Sequence, residues 1–362
     1  APSVDDASNN ANAKAQAADT KTSDNPDRLP RVVVVGMAGQ FPGAPDVNSF
    51  WRNICNGVDS LSVFTRDYLR SKGVPENVLG KSYTINQCAR VVRVCDASVC
   101  VVTGHPEWVR AGQVVSDADK FDAYFFGLQP HEVELLDPQQ RLFLQVAYHA
   151  LEDSGSAFFK SAAPATVTGN NPSATDDPKV MRQLKQRTGV FAACGIDGYL
   201  IHHLDGGGLK TPLDPAKTWT TEVGNEKDYI STRVSHQLNL GGPSFTVNSA
   251  CSSGLTAICQ AISAIRGGQC DAAVAGASSL TFPNFGYLYS EGLPASRDGT
   301  VRPFDDDASG TIFGDAVGAV VLKRLDHALR DGDRIYAEVG DADRTRTRMS
   351  VLMLCLCTQP NK

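Results

Sequence analysis

The chain contains no CxxC pair, although ten cysteines are spread through its 362 residues. At this length that absence excludes a disulfide-stapled miniature scaffold and the common closed zinc modules, and a reducing compartment fits best. Cys88, Cys95 and Cys100 lie close together, but His105 does not complete a zinc spacing, so no metal is expected. Long basic runs are missing too. The 34 Lys and Arg stand against 40 Asp and Glu, a net charge of −6, which offers nothing to nucleic acid or an anionic membrane. No apolar stretch reaches the roughly eighteen residues of a membrane span. Val351 to Cys357 is too short and Val91 to Val102 too interrupted. Residues 1–30 have no aromatic side chain and no apolar core of the kind a secretory signal needs, and their five Asp argue against an acid-poor transit peptide. The expected location is the cytoplasm, with an organelle such as a plastid left open. The first residue is Ala1 rather than Met, which points to an excerpt or a processed protein.

What is present is a globular composition, 42% hydrophobic and 20% charged, long enough for one large domain or two ordinary ones. Residues 1–30 cannot bury enough surface to offset the entropy of ordering and read as a linker or tail. The domain is expected over 31–340. It opens with Arg31 to Val35, a β-branched run suited to a buried strand, followed by Gly36, Gly39 and Gly43. This GMAGQFPG stretch lacks both GxGxxG and GxxxxGK[ST], and Pro42 and Pro45 would interrupt a phosphate-facing helix, so it reads as a turn. Leu135 to Gly155 reads as a helix with Asp137 as cap, Pro138 in the first turn, and Leu142, Phe143, Val146, Ala147, Ala150 and Leu151 on one apolar face. Residues 163–177 are rich in Pro, Ser, Thr and Asn and read as a mobile surface loop.

Beyond that loop the pattern alternates. Strands are expected at Thr188 to Ala193, Ser244 to Val247, Ala272 to Ala275, Gly318 to Leu322 and Arg334 to Val339, with helices at Cys251 to Arg266 and Asp326 to Arg330. Strand, helix and strand in short order argue for parallel βαβ units in a layered α/β fold. Two stretches fit no element: an atypical insert over 84–108 and an atypical tail over 341–362.

The strongest chemical signal is the segment from Ser244 to Leu255, in which a β-branched strand meets a turn of small residues and then an apolar helix. Cys251 falls at the helix start, where free backbone N–H groups and the helix dipole favour the nucleophilic thiolate. Ser249, Ala250, Ser252, Ser253 and Gly254 leave room for an acyl chain to approach. A structural thiol on a close-packed helix fits the same residues. Leu255, Ile258, Ile262 and Ile265 leave this helix little polar face, so it is expected to be buried, with Cys251 at its start as the most reactive of the thiols.

The segment VNSACSSGL resembles the nucleophile motif of the β-ketoacyl synthase domains of polyketide and fatty acid synthases. Other segments resemble that family in the right order: Arg31 to Pro42, Phe50-Trp51, Ser116 to Gly127, the DPQQR of Asp137 to Arg141, Asn225 to Pro243, Gly292 to Asp305 and Gly314 to Arg334. Together they look most like the modular polyketide synthase branch. The resemblance implies a thiolase-like layered αβαβα fold, of which this chain carries largely the N-terminal half. It also implies a homodimer and no bound cofactor. Acyl and malonyl thioesters would arrive on the phosphopantetheine arm of an acyl carrier protein. Cys251 would take the acyl chain, with Asn248, Ser249, Ala250, Ser252 and Ser253 supporting its turn. A malonyl unit would then lose CO₂ and its carbanion attack the enzyme thioester.

The family's two catalytic histidines come from HGTGT-like and NxGH-like segments, and neither segment is in this sequence. His202 and His203 lie in an unmatched Gly-rich stretch and read as loop residues. Asn248 and Ser249 stand where the family usually has Asp-Thr, and Gly254 where it has a third Ser. Removing Ile85 to Trp108 joins KSYT to VRAGQVVSDADKF much as the family reads, as a retained intron or frame change would produce. Two other readings compete: a non-catalytic dimerisation and carrier-docking module, and a thiolase-type enzyme acting on acyl-coenzyme A. DPQQR and SDADKFDAYFFG favour the synthase branch over the thiolases.

Overall fold

The computed structural model describes residues 29–71, 108–155, 187–204 and 215–340. Apart from 29–30 and Trp108, the expected tails (1–30 and 341–362), insert (84–108) and loop (163–177) lie outside the described residues. In the first half the elements are β1 (Val32–Gln40), α1 (Val47–Cys55), β2 (Ser62–Val63), α2 (Arg66–Ser71), β3 (Trp108–Val109), β4 (Ala111–Gly112), α3 (Pro130–Leu135) and α4 (Pro138–Asp153). The second half adds β5 (Thr188–Cys194), α5 (Pro215–Asn225), α6 (Tyr229–Leu238), β6 (Ser244–Thr246), α7 (Ser253–Arg266), β7 (Ala272–Ser279), β8 (Tyr287–Leu288), β9 (Ala316–Arg324), α8 (Leu325–Asp331) and β10 (Ala337–Val339).

Six strands form the main sheet in the order β10-β1-β9-β7-β5-β6. β5 runs parallel to β6 and β7, as the alternating pattern predicts. The pairings β7 with β9, β9 with β1 and β1 with β10 are antiparallel, so the expectation of parallel units holds for only half of the sheet. The reason lies in the connection from Ser279 to Ala316, which contains no α-helix. Without a crossover element the chain re-enters the sheet from the edge it left, and the next strand runs the other way.

Gly36 and Gly39 do not form a turn; they belong to β1, which stays paired with β9 through a bulge between Val34 and Gly36. Gly36 is where α4 crosses the sheet closely, since a methyl group there would lie 2.3 Å from the Ala150 carbonyl oxygen. The chain turns only afterwards, where Phe41 and Ala44 exchange backbone hydrogen bonds of 2.8 and 2.9 Å.

Helices cover both faces of the sheet. The apolar residues of α4 predicted to face the core are all buried, and together with Ile230 and Val234 of α6 and Ala328 of α8 they cover one face. The opposite face carries Ala257, Ala261, Ile262, Ala264 and Ile265 of α7 against Phe191, Ala273, Ala275 and Leu322. The helix expected from Leu135 to Gly155 is α4, with Asp137 as its cap, accepting a hydrogen bond from Gln139 N at 2.8 Å, and Pro138 in its first turn as expected; Leu135 itself is the last residue of α3. Leu255 corrects another expectation: it is 50% exposed on the outer side of α7, because the α7 face that meets the sheet starts at Ala257. At the end of β9, the Lys323 ammonium is buried between Asp331 and Asp333.

Candidate functional site

β6 ends at Thr246, and the chain passes through Asn248 and Ser249 before reaching a sharp elbow. Ala250 has φ of 53°, in the left-handed region where a Cβ costs about 1–2 kcal/mol. A single 3₁₀ turn, Ala250–Ser252, follows and runs directly into α7. Cys251 lies on that turn, exposed, one residue ahead of Ser252, the N-cap of α7. The sequence pattern places Cys251 at the helix start; the structure puts it on the 3₁₀ lead-in, because the left-handed residue delays the α-helical hydrogen bonds.

Hydroxyl groups hold this elbow. The Ser253 hydroxyl accepts a hydrogen bond from Ser249 N at 2.8 Å and donates to the Ala250 carbonyl at 2.7 Å. The Ser252 hydroxyl donates to the Ser249 carbonyl at 2.8 Å. The Ser249 and Thr256 hydroxyls lie 2.9 Å apart, and Thr256 donates to the Ser252 carbonyl at 3.0 Å. Thr256 was not among the residues read from the sequence, although its spacing of one helical turn from Ser252 was there to be seen. Asn248, Ser249 and Ala250 are exposed, Ser252 is half-buried and Ser253 is buried. Gly254 brings α7 close to β7: a Cβ there would lie 3.3 Å from the Ala277 Cβ.

The other described thiols occupy different settings. Cys55 is exposed on α1, Cys259 is half-buried on α7, and Cys194 and Cys270 are buried. Burial pushes the Cys194 thiol far up, and the carboxylates of Asp137 and Asp197 add to it. Burial likewise raises Cys270 to about 11.

A cleft of about 660 Å³ opens beside the start of α4, lined by Asp137, Gln139, Arg141, Tyr199, His203 and Asp315 among others; Cys251 does not line it. Gln139 ties the cleft to the sheet. Its amide oxygen accepts from Gly195 N at 3.0 Å and Leu280 N at 3.2 Å, and its amide nitrogen donates to Asp137 and to the Ile196 carbonyl. Burial raises the carboxyls of Asp137 and Asp315 and lowers the Arg141 guanidinium. His202 and His203 do not sit in a loop but on a π-helical turn, Leu200–Leu204. His203 stacks on Tyr199 with ring centroids 4.8 Å apart, and Phe282 closes on it edge-on. His149 pairs with Glu152 on the solvent-facing side of α4, and His327 lies beside Asp326. Among the described residues no cluster of three or more His, Cys, Asp or Glu could hold a metal ion. No described helix is long and apolar enough to cross a membrane.

The model of the β-ketoacyl synthase N-terminal domain matches residues 30–99 and 102–328. This chain belongs to the β-ketoacyl synthase family. Its sequence is 38% identical over 313 residues to a phenolphthiocerol/phthiocerol polyketide synthase protein of Mycobacterium tuberculosis, a match covering 85% of this chain and 18% of that protein. It is 31% identical to the polyketide synthase PksN of Bacillus subtilis, over 84% of this chain and 5% of that protein. The fold is similar to that of ketosynthase twelve of the bacillaene polyketide synthase from Bacillus amyloliquefaciens, with a TM-score of 0.65 at 28% identity, covering 85% of this chain and 45% of that one. A module 1 ketosynthase of the bacillaene synthase matches with a TM-score of 0.60 at the same identity. This family member therefore has the thiolase-like layered fold expected from the motifs, and it spans less than half of the solved ketosynthases and under a fifth of these two synthases. The matched residues include the elbow and Cys251.

Proposed function

We propose that this β-ketoacyl synthase family chain is a ketosynthase-type acyltransferase of polyketide biosynthesis, with Cys251 as the acyl acceptor. The observation that carries the reading is the exposed Cys251 on a strand–elbow–helix turn, directly after a left-handed Ala250. A thiolate at the start of a helix is stabilised by backbone N–H groups and the dipole, and the elbow projects it clear of the sheet. The thiolate attacks the carbonyl of an acyl thioester. The bond from Sγ to the acyl carbon forms as the bond to the donor sulfur breaks, and the departing pantetheine thiolate takes up a proton from solvent.

The donor is the phosphopantetheine arm of an acyl carrier protein, and the working unit is a homodimer. In the complete synthase a malonyl thioester then loses CO₂ and its carbanion attacks the Cys251 thioester, giving a β-keto chain two carbons longer. That step requires groups that stabilise negative charge on a thioester oxygen, and removing one such donor typically costs about 10² to 10³ in rate. The HGTGT-like and NxGH-like segments that supply histidines in the family are not in this sequence. The 362-residue chain is therefore expected to accept an acyl group and not to condense it.

The test is intact-protein mass spectrometry after incubation with acyl-pantetheine thioester, with CO₂ release from malonyl carrier protein measured in parallel. The expected result is one added acyl group, lost in Cys251→Ala, with no CO₂ released. Acylation that survives Cys251→Ala would overturn the assignment of the nucleophile. Turnover to a β-keto product would show that a residue of this chain replaces the absent histidines.

A further inference from the structure

We infer that Ser253 is the positioning residue of the elbow: its single hydroxyl bridges both sides of the left-handed Ala250 and so fixes where Cys251 points. The inference rests on the reading of Cys251 as acyl acceptor and adds the device that holds it in place. The Ser253 hydroxyl accepts from the N–H of Ser249, on the strand side of Ala250, and donates to the Ala250 carbonyl, on the helix side. The two bonds close a loop around the one backbone conformation in the elbow that an alanine does not choose for itself. Should Ala250 relax to negative φ, the strand would run on past the start of α7 and Cys251 would swing with it.

Burial separates Ser253 from its neighbours. Ser249 is exposed and Ser252 half-buried, so water can take over their hydrogen bonds when a hydroxyl is removed. Ser253 is 9% exposed. Deleting its hydroxyl breaks both bonds around Ala250 at once, and a left-handed alanine without them favours a different elbow. Ser253 does not touch the acyl group in this reading; it acts through the backbone of Ala250.

The experiment uses the whole chain and four variants: Ser253→Ala, Ser253→Thr, Ser253→Val, and Ser253→Ala combined with Ala250→Gly. The alkylation rate of Cys251 by iodoacetamide is measured by peptide mapping across pH, with exposed Cys55 as the internal reference. In chains labelled with ¹³C,¹⁵N-alanine, the backbone chemical shifts of Ala250 report its conformation independently of reactivity. In Ser253→Ala we expect Cys251 to react about tenfold more slowly relative to Cys55, the scale of one buried hydroxyl. The Ala250 shifts should leave the left-handed range. Ser253→Thr should keep wild-type behaviour and Ser253→Val should not, a comparison at equal shape that also serves if Ser253→Ala does not fold. Glycine adopts the left-handed conformation freely, so Ala250→Gly should restore much of the rate in the Ser253→Ala background. Unchanged Ala250 shifts and an unchanged Cys251 profile in folded Ser253→Ala or Ser253→Val would overturn the inference. A wild-type Cys251 no faster than Cys55 would instead refute the nucleophile, and the Ala250 shifts would still decide the brace.

Discussion

Replacing Lys323 with Met removes a charge from the interior while keeping most of the chain volume, and its cost can be worked from the surroundings. The lysine side chain is 3% exposed, and its ammonium donates to Asp331 at 2.7 Å and to Asp333, whose side chains are 16% and 5% exposed. Removing one partner of a buried ionic group typically costs about 3–5 kcal/mol, because the other charge is left uncompensated. Asp331 also receives a hydrogen bond from Arg330 at 2.7 Å, which puts the expected loss near the lower end, about 3 kcal/mol. For a domain of this size that is about 6–12 °C in melting temperature. The pH dependence gives a second handle. Burial raises the Asp331 carboxyl, but the hydrogen bonds from Arg330 and Lys323 outweigh it and hold it below the usual range, so it stabilises at neutral pH and that contribution fades on acidification. Burial keeps the Asp333 carboxyl above its ordinary value despite Lys323, so its contribution has the opposite sign and folding favours its protonated form. Without the lysine both carboxyls move up, and the variant gains relative to wild type as falling pH protonates them. Urea denaturation of both proteins at pH 7 and pH 4.5 measures this. A loss below about 1 kcal/mol at pH 7, or a gap that widens at pH 4.5, would refute the reasoning.

Gln139→Leu, nearly equal in volume, should cost about 2 kcal/mol in the same denaturation assay. Gly195 N keeps a second acceptor in the Ser278 carbonyl and the Ile196 carbonyl keeps the Gly198 N–H, so the uncompensated loss centres on Leu280 N; a neutral result would mean that water reaches that amide. In the native chain at pH 8, iodoacetamide should modify Cys251 and Cys55 well before Cys194 and Cys270, whose thiols are buried and raised. Mass mapping of a time course would show the order, and early modification of Cys194 would mean that the end of β5 opens readily.

The helical framework was readable because its signals are local. Leu142 through Leu151 repeat at the helical period, and Asp137-Pro138 marks a start whatever lies elsewhere in the chain. The turn that carries Cys251 was readable for the same reason, since small residues between a β-branched run and an apolar helix leave few alternatives. The errors arose where a distant partner decides. Gly36 and Gly39 look like turn residues, and only β9, far along the chain, and the crossing of α4 make them strand. The antiparallel half of the sheet depends on a connection without a crossover helix, which alternating strands and helices do not reveal. Gln139 and Gln140 are polar letters in a buried place, each satisfied by groups from other segments. Ala250 carries no sign of a left-handed conformation, because the Ser253 bridge that accompanies it exists only once the elbow has formed.

The position of β1 in the sheet sets an order of events during synthesis. The strand leaves the ribosome among the first parts of this sequence, yet β9 and β10, which flank it, are among the last. Roughly 290 residues separate Val32 from its partner Arg324, and at about 5–20 residues per second they take about 15–60 s to make. Throughout that interval a run of four valines has neither of its neighbours, and such a segment readily pairs with strands of other nascent chains. Its protection until β9 emerges falls to chaperones, or to early docking of α4 against Gly36.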